Sequence, residues 1–571
     1  MLIGQSELLP LYIVLCRWVV GAVSRDGLRG FVQVEVQSGV LRGGVKGLSD
    51  GRNYYSFEGI PFAQPPVGDL RFRDPIPFNK WTGILDATKQ SHSCIEFELN
   101  QVDFDVHGSE DCLYLNVYTT QDPRYIQERL PVMIWFYGGY FREGNSSLYS
   151  PVLLLRENVI VVTLNYRVGV YGFLSTSDLS SPGNYGLKDQ LIALKWVQAN
   201  IVKFGGDPGK VTIFGESAGS ASVGFHLLSN QAKGLFHGAI LQSGTPLCNW
   251  ALDRNPRQVA FDLGNALGFN TKNSTSLVKF LRQADLSKSD QVIKTLYTVN
   301  FLESFFYGGP FGPVIEPNYD GAFITKDSLR ALKTGDFARV PVIIGVNSQE
   351  GKLLTSVIEA AKPFFFLFDV SPSSLVRDTM NVKSYKDRRY IGTKIAQYYF
   401  KSKGFIAGTD EEFTKFLSDD MFLRPIVKTT VLMSKFIPVY HYVYDYEGSL
   451  GRWWLKFKAE YRPDIKGVAH ATDILYLWNL TIAPTTFKNK EERLVSERLT
   501  RLWTNFAKFG NPTPCEEDLL QNVQWPKVSG KSLQHLYIGT NLKVSSNFQK
   551  ESVDFWEHLY KCFSKEPYQI Y

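Results

Sequence analysis

The sequence predicts an α/β fold in which one large, mainly parallel sheet is flanked by helices. Three observations carry that reading. Apolar, β-branched runs of strand length recur without polar alternation, as strands buried on both faces require. Between them lie stretches with apolar residues at helical spacing. One of the runs leads straight into Gly215-Glu216-Ser217-Ala218-Gly219, the signature of a sharp strand-to-helix turn.

In chain order the expected strands are Leu130–Phe136, Val159–Tyr166, Val211–Gly215, Gly238–Gly244, Val340–Asn347 and Ile437–Tyr446. The segment LKDQLIALKWVQANIVKF, between Tyr166 and Val211, reads as a helix. Thr500–Phe509 reads as another, stopped by Gly510 and Pro512.

Length alone, 571 residues, allows three or four domains. There is no internal repeat and no low-complexity linker. The chain therefore reads as a single domain over 25–571, preceded by a possible leader over 1–24. Hydrophobic residues at 44% and charged residues at 21% exclude disorder, collagen and coiled coil as the dominant class. Lys and Arg exceed Asp and Glu by 62 to 56, a net charge of +6, with no dense basic stripe, so nucleic acid is not an expected partner. Aromatics reach 14%, enough for a large core and for aromatic-lined pockets.

The apolar run Leu8–Cys16 is interrupted by Arg17 and followed by small residues up to Ser24. It is too short to span a membrane and suits a secretory leader, although it has no basic residue before it. Secretion is the expectation, a cytoplasmic protein the alternative. The C-terminal EPYQIY is neither an ER-retention signal nor a lipid-anchor tail. The six cysteines are Cys16, Cys94, Cys112, Cys248, Cys515 and Cys562. None forms a C-x-x-C pair, so no metal site is expected. Asn145, Asn273 and Asn479 head N-x-[ST] sequons and are glycosylation candidates.

The chemistry centres on Ser217. A strained turn at the end of a β-branched strand exposes a serine hydroxyl, and the helix behind it favours developing negative charge. Gly215 and Gly219 leave room for close backbone approach. Such a serine needs a base and an acid, in the chain order Ser, Asp/Glu, His. His226 and His237 come too early, and His441 lies inside a strand. His470, in the small-residue loop KGVAHATD, suits a general base better than His535 or His558. Glu350 directly follows an apolar strand in NSQEG and suits an orienting acid, or else a solvated loop carboxylate.

Several segments together resemble a type-B carboxylesterase of the carboxylesterase/cholinesterase family, most like the insect carboxylesterases. They are FEGIPFAQPPVGDLRF (Phe57–Phe72), EDCLYLNVY (Glu110–Tyr118), GNYGLKDQLIALKWVQANIVKFGGDP (Gly183–Pro208), GESAG (Gly215–Gly219), GVNSQEG (Gly345–Gly351) and GVAHATDILYLW (Gly467–Trp478). The resemblance covers nearly the whole chain and implies an α/β-hydrolase fold. It implies Ser217 as nucleophile, Glu350 as acid and His470 as base, with no cofactor and a small-molecule ester as substrate. A glutamate acid is usual in this family. The resemblance also pairs Cys94 with Cys112, a bridge whose loop suggests about 3 kcal/mol of stabilisation. It gives Ser243 a place supporting the triad from behind. The oxyanion donors it implies are the N–H groups of Gly139, Tyr140 and Ala218.

The chain departs from the family at Tyr137-Gly138-Gly139-Tyr140-Phe141, where a third glycine is usual at position 140. A backbone donor survives a side chain there, but the conformation can demand glycine, and the phenol can intrude on the acyl site. A more selective esterase, favouring small or flat acyl groups, is expected. The segment between Cys94 and Cys112 holds no Trp, so choline esters are not expected substrates. GESAG in place of GQSAG argues mildly against a dedicated juvenile hormone esterase. Phe301–Tyr307 and Phe364–Phe368 could line a gorge or pack as core. A non-catalytic binding homologue is the rival of another class.

Overall fold

A computed structural model describes residues 30–100, 103–286, 309–401, 404–459, 461–484, 487–529 and 532–565. The possible leader over 1–24, Cys16, the aromatic cluster at 301–307 and the C-terminal EPYQIY lie outside the described residues.

The centre is a 13-stranded sheet. Its antiparallel wing holds β1 (Phe31–Val36), β2 (Gly39–Gly47) and β3 (Asn53–Pro61), with the short β4 (Ile84–Asp86) parallel to β2. A separate hairpin, β5 (Glu96–Asn100) and β6 (Asp103–His107), comes next in the chain. The strand β7 (Tyr114–Thr119) joins the wing to the parallel strands. Those are β8 (Leu130–Phe136), β10 (Ile160–Leu164), β11 (Gly206–Glu216), β12 (Gly238–Gln242), β13 (Val342–Asn347), β14 (Val439–Tyr444) and β16 (Gln534–Ile538). Two short strands, β9 (Tyr149–Ser150) and β15 (Asn479–Leu480), pair beside the sheet, and β17 (Leu542–Ser546) closes its edge antiparallel to β16.

All six expected strands form. β13 and β14 start two residues late, at Val342 and Val439, because Pro341 and Pro438 have no N–H to donate. The expected helix before Val211 runs over Tyr185–Asn200 and tightens to a 3₁₀ turn at Ile201–Phe204. The helix expected from Thr500 begins ten residues earlier, at Lys490. Asn489 caps it, and its opening KEER turn is too polar to show apolar periodicity. It ends at Gly510, in the left-handed region, as expected.

The central parallel strands are buried on both faces, as their sequences required. Along β8, Val132, Ile134 and Phe136 pack on one side, while Met133, Trp135 and Tyr137 pack on the other. On that second face Phe214 and Trp478 stack, and Trp135 packs on both at a tilt. Cys94 and Cys112 are bonded, which ties the β5–β6 hairpin to the start of β7. Cys248, Cys515 and Cys562 are free, the first of them buried. Among the described residues no helix is long and apolar enough to cross a membrane.

The sheet order is β7-β10-β8-β11-β12. From β8 the chain moves to one neighbour, β10, and then returns to the other, β11. The loops leaving the carboxyl ends of β8 and β11 therefore open a crevice at the point where the winding reverses, which is where α/β sheets bind ligands.

Candidate functional site

The turn after β11 enters that crevice. Ser217 has φ 57° and ψ −122°, outside the ordinary regions, and the helix Ala218–Leu228 starts behind it. A non-glycine residue held there costs on the order of 1–3 kcal/mol, so the surroundings must enforce it. They do: Ser217 N–H donates to Gln242 O at 2.8 Å, and Ala221 N–H to Ser217 O at 2.9 Å. Gly219 is required sterically, since a Cβ there would overlap Phe136 O.

The loop after β8 runs beside this turn. A Cβ on Gly138 would lie 2.8 Å from Glu216 Oε2 and 3.0 Å from the Cβ of Ser217. The base of the loop is locked by Tyr137 and Tyr166: each hydroxyl donates to the other's carbonyl, at 3.0 and 2.6 Å, and the rings stack. Gly139 has φ 113°, Tyr140 61° and Phe141 59°. Position 140 thus sits in the left-handed region that favours glycine, as the departure from the family pattern warned. Among the described residues the N–H groups of Gly139 and Ala218 meet no acceptor.

His470 lies in the loop between Gly467 and Ile474, so the expected loop position holds. Its Nδ1 is 2.7 Å from Glu350 Oε2. Glu350 is itself oriented by the Asn347 N–H, which donates to Oε1 at 2.7 Å. His470 N–H donates to Glu350 O at 3.2 Å, and Trp454 Nε1 donates to His470 O at 3.1 Å. The ring Nε2 lies 3.0 Å from Glu216 Oε1. Among the described residues Ser217 Oγ makes no hydrogen bond, so His470 here faces Glu216, the residue next to the serine.

Two carboxylates thus flank one buried imidazole. Burial opposes its charged form, but Glu216 and then Glu350 outweigh that, and the His470 pKa is raised to about 10. Behind them Asp473 is buried, accepting from Gln242 Nε2 at 2.8 Å and from Tyr442 OH at 3.2 Å. Desolvation, with Glu216 and Glu350 nearby, raises its carboxyl to about 6.

An aromatic wall closes one side. The Tyr140 ring stacks on Trp250, with centroids 6.0 Å apart. Trp250 packs on Phe422 at 5.9 Å, and Phe422 on the His470 ring at 4.6 Å. Phe422 is presented by a π-helical turn, Asp419–Leu423. Of the Phe364–Phe368 cluster, Phe365 and Phe368 are buried in the core, while Phe364, Phe366 and Leu367 are exposed.

The structure brings Ser217, Gly139, Tyr140, Ala218, Glu350 and His470 into one region. Ser243 is fully buried at φ 57°, and its N–H donates to Gly345 O, but its hydroxyl makes no hydrogen bond. Glu216, Asn347 and Asp473 were missed. Glu216 stood inside GESAG and Asp473 three residues after His470, but only their spatial convergence gives them a role. Of the sequon asparagines, Asn273 is exposed and caps the helix Ser274–Gln283. Asn145 donates its Nδ2 to Glu96 Oε1 at 3.1 Å, the nitrogen a glycan would occupy. Asn479 lies in β15, half-buried. Among the described residues no group of three or more His, Cys, Asp or Glu could hold a metal.

A parallel sheet of this order, with a strained strand-to-helix turn at its winding reversal, defines an α/β-hydrolase. The family model described as the carboxylesterase family matches residues 31–556. The chain is 33% identical to venom carboxylesterase-6 of Apis mellifera, covering 92% of this chain and 94% of that protein. It is 32% identical to juvenile hormone esterase of Tribolium castaneum, over 91% and 90% of the two chains. The crystal structure of juvenile hormone esterase from Manduca sexta with OTFP covalently attached superposes with a TM-score of 0.81. That match has 26% identity and covers 93% of this chain and 100% of the other. The chain belongs to the carboxylesterase family and is a carboxylic ester hydrolase, and its insect relatives bear out the resemblance read from its motifs.

Proposed function

We propose that Ser217 is the nucleophile, His470 the general base and Glu350 the acid that orients it. The observation that carries this is the buried Nδ1 contact of His470 with Glu350 at 2.7 Å, beside the strained turn at Ser217. His470 takes the Ser217 proton as Oγ attacks the ester carbonyl. The N–H groups of Gly139, Tyr140 and Ala218 hold the oxyanion. The alcohol leaves with the proton from His470, and water repeats the sequence on the acyl-enzyme. His470 must release Glu216 and turn its Nε2 to Ser217, a hydrogen bond that tightens only with substrate in place. A fluorophosphonate probe tests the assignment: it should label the protein at Ser217 and leave Ser217→Ala unlabelled. Equal labelling of the two would sink it.

The substrates are uncharged esters with small or flat acyl groups, since Tyr140, Trp250 and Phe422 wall the acyl side. Tyr140→Gly should raise turnover of bulky acyl esters about tenfold over short ones. An unchanged chain-length profile would defeat this. A single domain over 25–571 does the work, following a secretory leader over 1–24, and the protein is secreted. The disulfide and the venom carboxylesterase among its relatives support secretion. A hormone-specific esterase is the second reading, favoured by the two juvenile hormone esterases among its relatives.

A further inference from the structure

We propose that Glu96 is a positioning residue for the oxyanion loop: its carboxylate clamps the 142–145 turn, and through it sets the peptide that carries the Tyr140 N–H. The inference rests on the reading of that N–H as an oxyanion donor.

The loop needs a brace. Positive φ angles recur at Gly139, Tyr140, Phe141 and Gly144, two of them on aromatic residues. Such backbone relaxes unless its surroundings over-determine it. Part of the restraint is internal. Arg142 N–H and Glu143 N–H both donate to Gly139 O at 3.0 Å. Gly139 O belongs to the same planar peptide as the Tyr140 N–H, so these two bonds fix the direction in which that N–H points. A shift of residues 142–144 would therefore rotate the donor.

What holds residues 142–145 comes from β5. Phe97 N–H donates to Arg142 O at 3.2 Å. Glu96 Oε2 accepts the Gly144 N–H at 2.5 Å, and its Oε1 accepts Asn145 Nδ2 at 3.1 Å. Asn145 is held in turn, its Oδ1 accepting the Ser147 N–H at 3.2 Å. His107 Nε2, from the paired strand β6, lies 3.0 Å from Glu96 Oε1. The Glu96 side chain is only 4% exposed, and a buried carboxylate is retained when donors surround it. Burial works against its charge, but His107 and the Gly144 N–H outweigh burial and hold its pKa below the usual carboxylate range. Two residues upstream, Cys94 is bonded to Cys112 at the edge of β7, so the clamp is anchored to the central sheet and not to another loop.

The acid and amide across this contact can be exchanged, which supplies the test. In Glu96→Gln an amide N–H₂ replaces one acceptor and meets the donors that it faced. In Asn145→Asp a second carboxylate faces Glu96. Each single variant should lower kcat about 10- to 100-fold with KM little changed. Affinity for an aryl trifluoromethyl ketone, whose adduct carries the oxyanion, should fall in parallel with kcat/KM. The double variant Glu96→Gln with Asn145→Asp restores an amide–carboxylate pair and should recover most of the loss. Full-length protein is used throughout, with Ser217→Ala as the blank. If wild type turns over esters and Glu96→Gln matches it, or the double variant is worse than both singles, the clamp is overturned. If wild type itself shows no turnover above the blank, the catalytic reading fails first.

Discussion

His470 and His441 are both buried, and both follow or lie in the parallel strands, yet their surroundings drive them in opposite directions. At His441, inside β14, desolvation and the neighbouring His535 push the imidazole down to about 3. Its ring finds no well-formed hydrogen bond, only the backbone of Ile344 nearby. At His470 the same burial is outweighed by Glu216 and Glu350, and the ring is held up at about 10. Burial alone makes a neutral packing group. Burial between carboxylates favours the charged imidazolium.

Replacing each histidine by glutamine should separate the two most sharply. His470→Gln should cut kcat about 10⁴-fold or more, while His441→Gln leaves kcat of the folded enzyme within about twofold. Comparable losses in both, measured per active site, would break the contrast.

The carboxylates themselves come next. Glu216→Gln removes one negative charge beside the imidazolium, which lowers the His470 pKa. On the proposal that the neutral ring is the base, the ascending limb of the kcat/KM pH profile should move toward lower pH, by about one unit or more. A limb that stays in place would mean Glu216 does not hold the proton.

The last effect falls on stability in acid and leaves turnover at neutral pH untouched. His226 and His441 are both neutral in the folded protein, pushed to about 3 from 6.5. The unfolded chain binds their protons near 6.5 and the folded chain does not. The stabilisation is therefore complete above about 6.5 and is lost as pH falls toward about 3, by up to about 1.4 kcal/mol per unit for each ring. Urea unfolding midpoints between pH 7 and pH 4 should fall accordingly, and His441→Leu should flatten the slope. An unchanged slope in that variant would remove His441 from the account.

Much of the fold was legible because its central strands are buried on both faces and carry unbroken apolar runs. The antiparallel wing was not. β1 alternates exposed and buried residues, a period-two pattern unlike the unbroken apolar runs of the centre, and β2 is rich in glycine, which blurs its pattern. At the site, Ser217 was legible because the turn it occupies admits few residue types around it. His470 was legible from chain order and loop composition. Glu350 needed the family resemblance, since a lone glutamate after a strand is ordinarily a solvated one. The contact joins Glu216, at the end of β11, to His470, 254 residues later in a loop, through where the sheet places them, and no local pattern encodes it.

The sequence by itself determined the class of fold, the sharp turn at Ser217, the order of the candidate triad and the side chain at position 140. These rest on local sterics and hydrophobic periodicity, which neighbouring residues express directly. Tertiary structure alone decided where the Tyr140 ring goes, which carboxylates face His470, and which side chain binds the turn at Gly144 and Asn145. Those depend on long-range packing around one sheet, where burial removes water and leaves each charged group to the partners that the fold supplies.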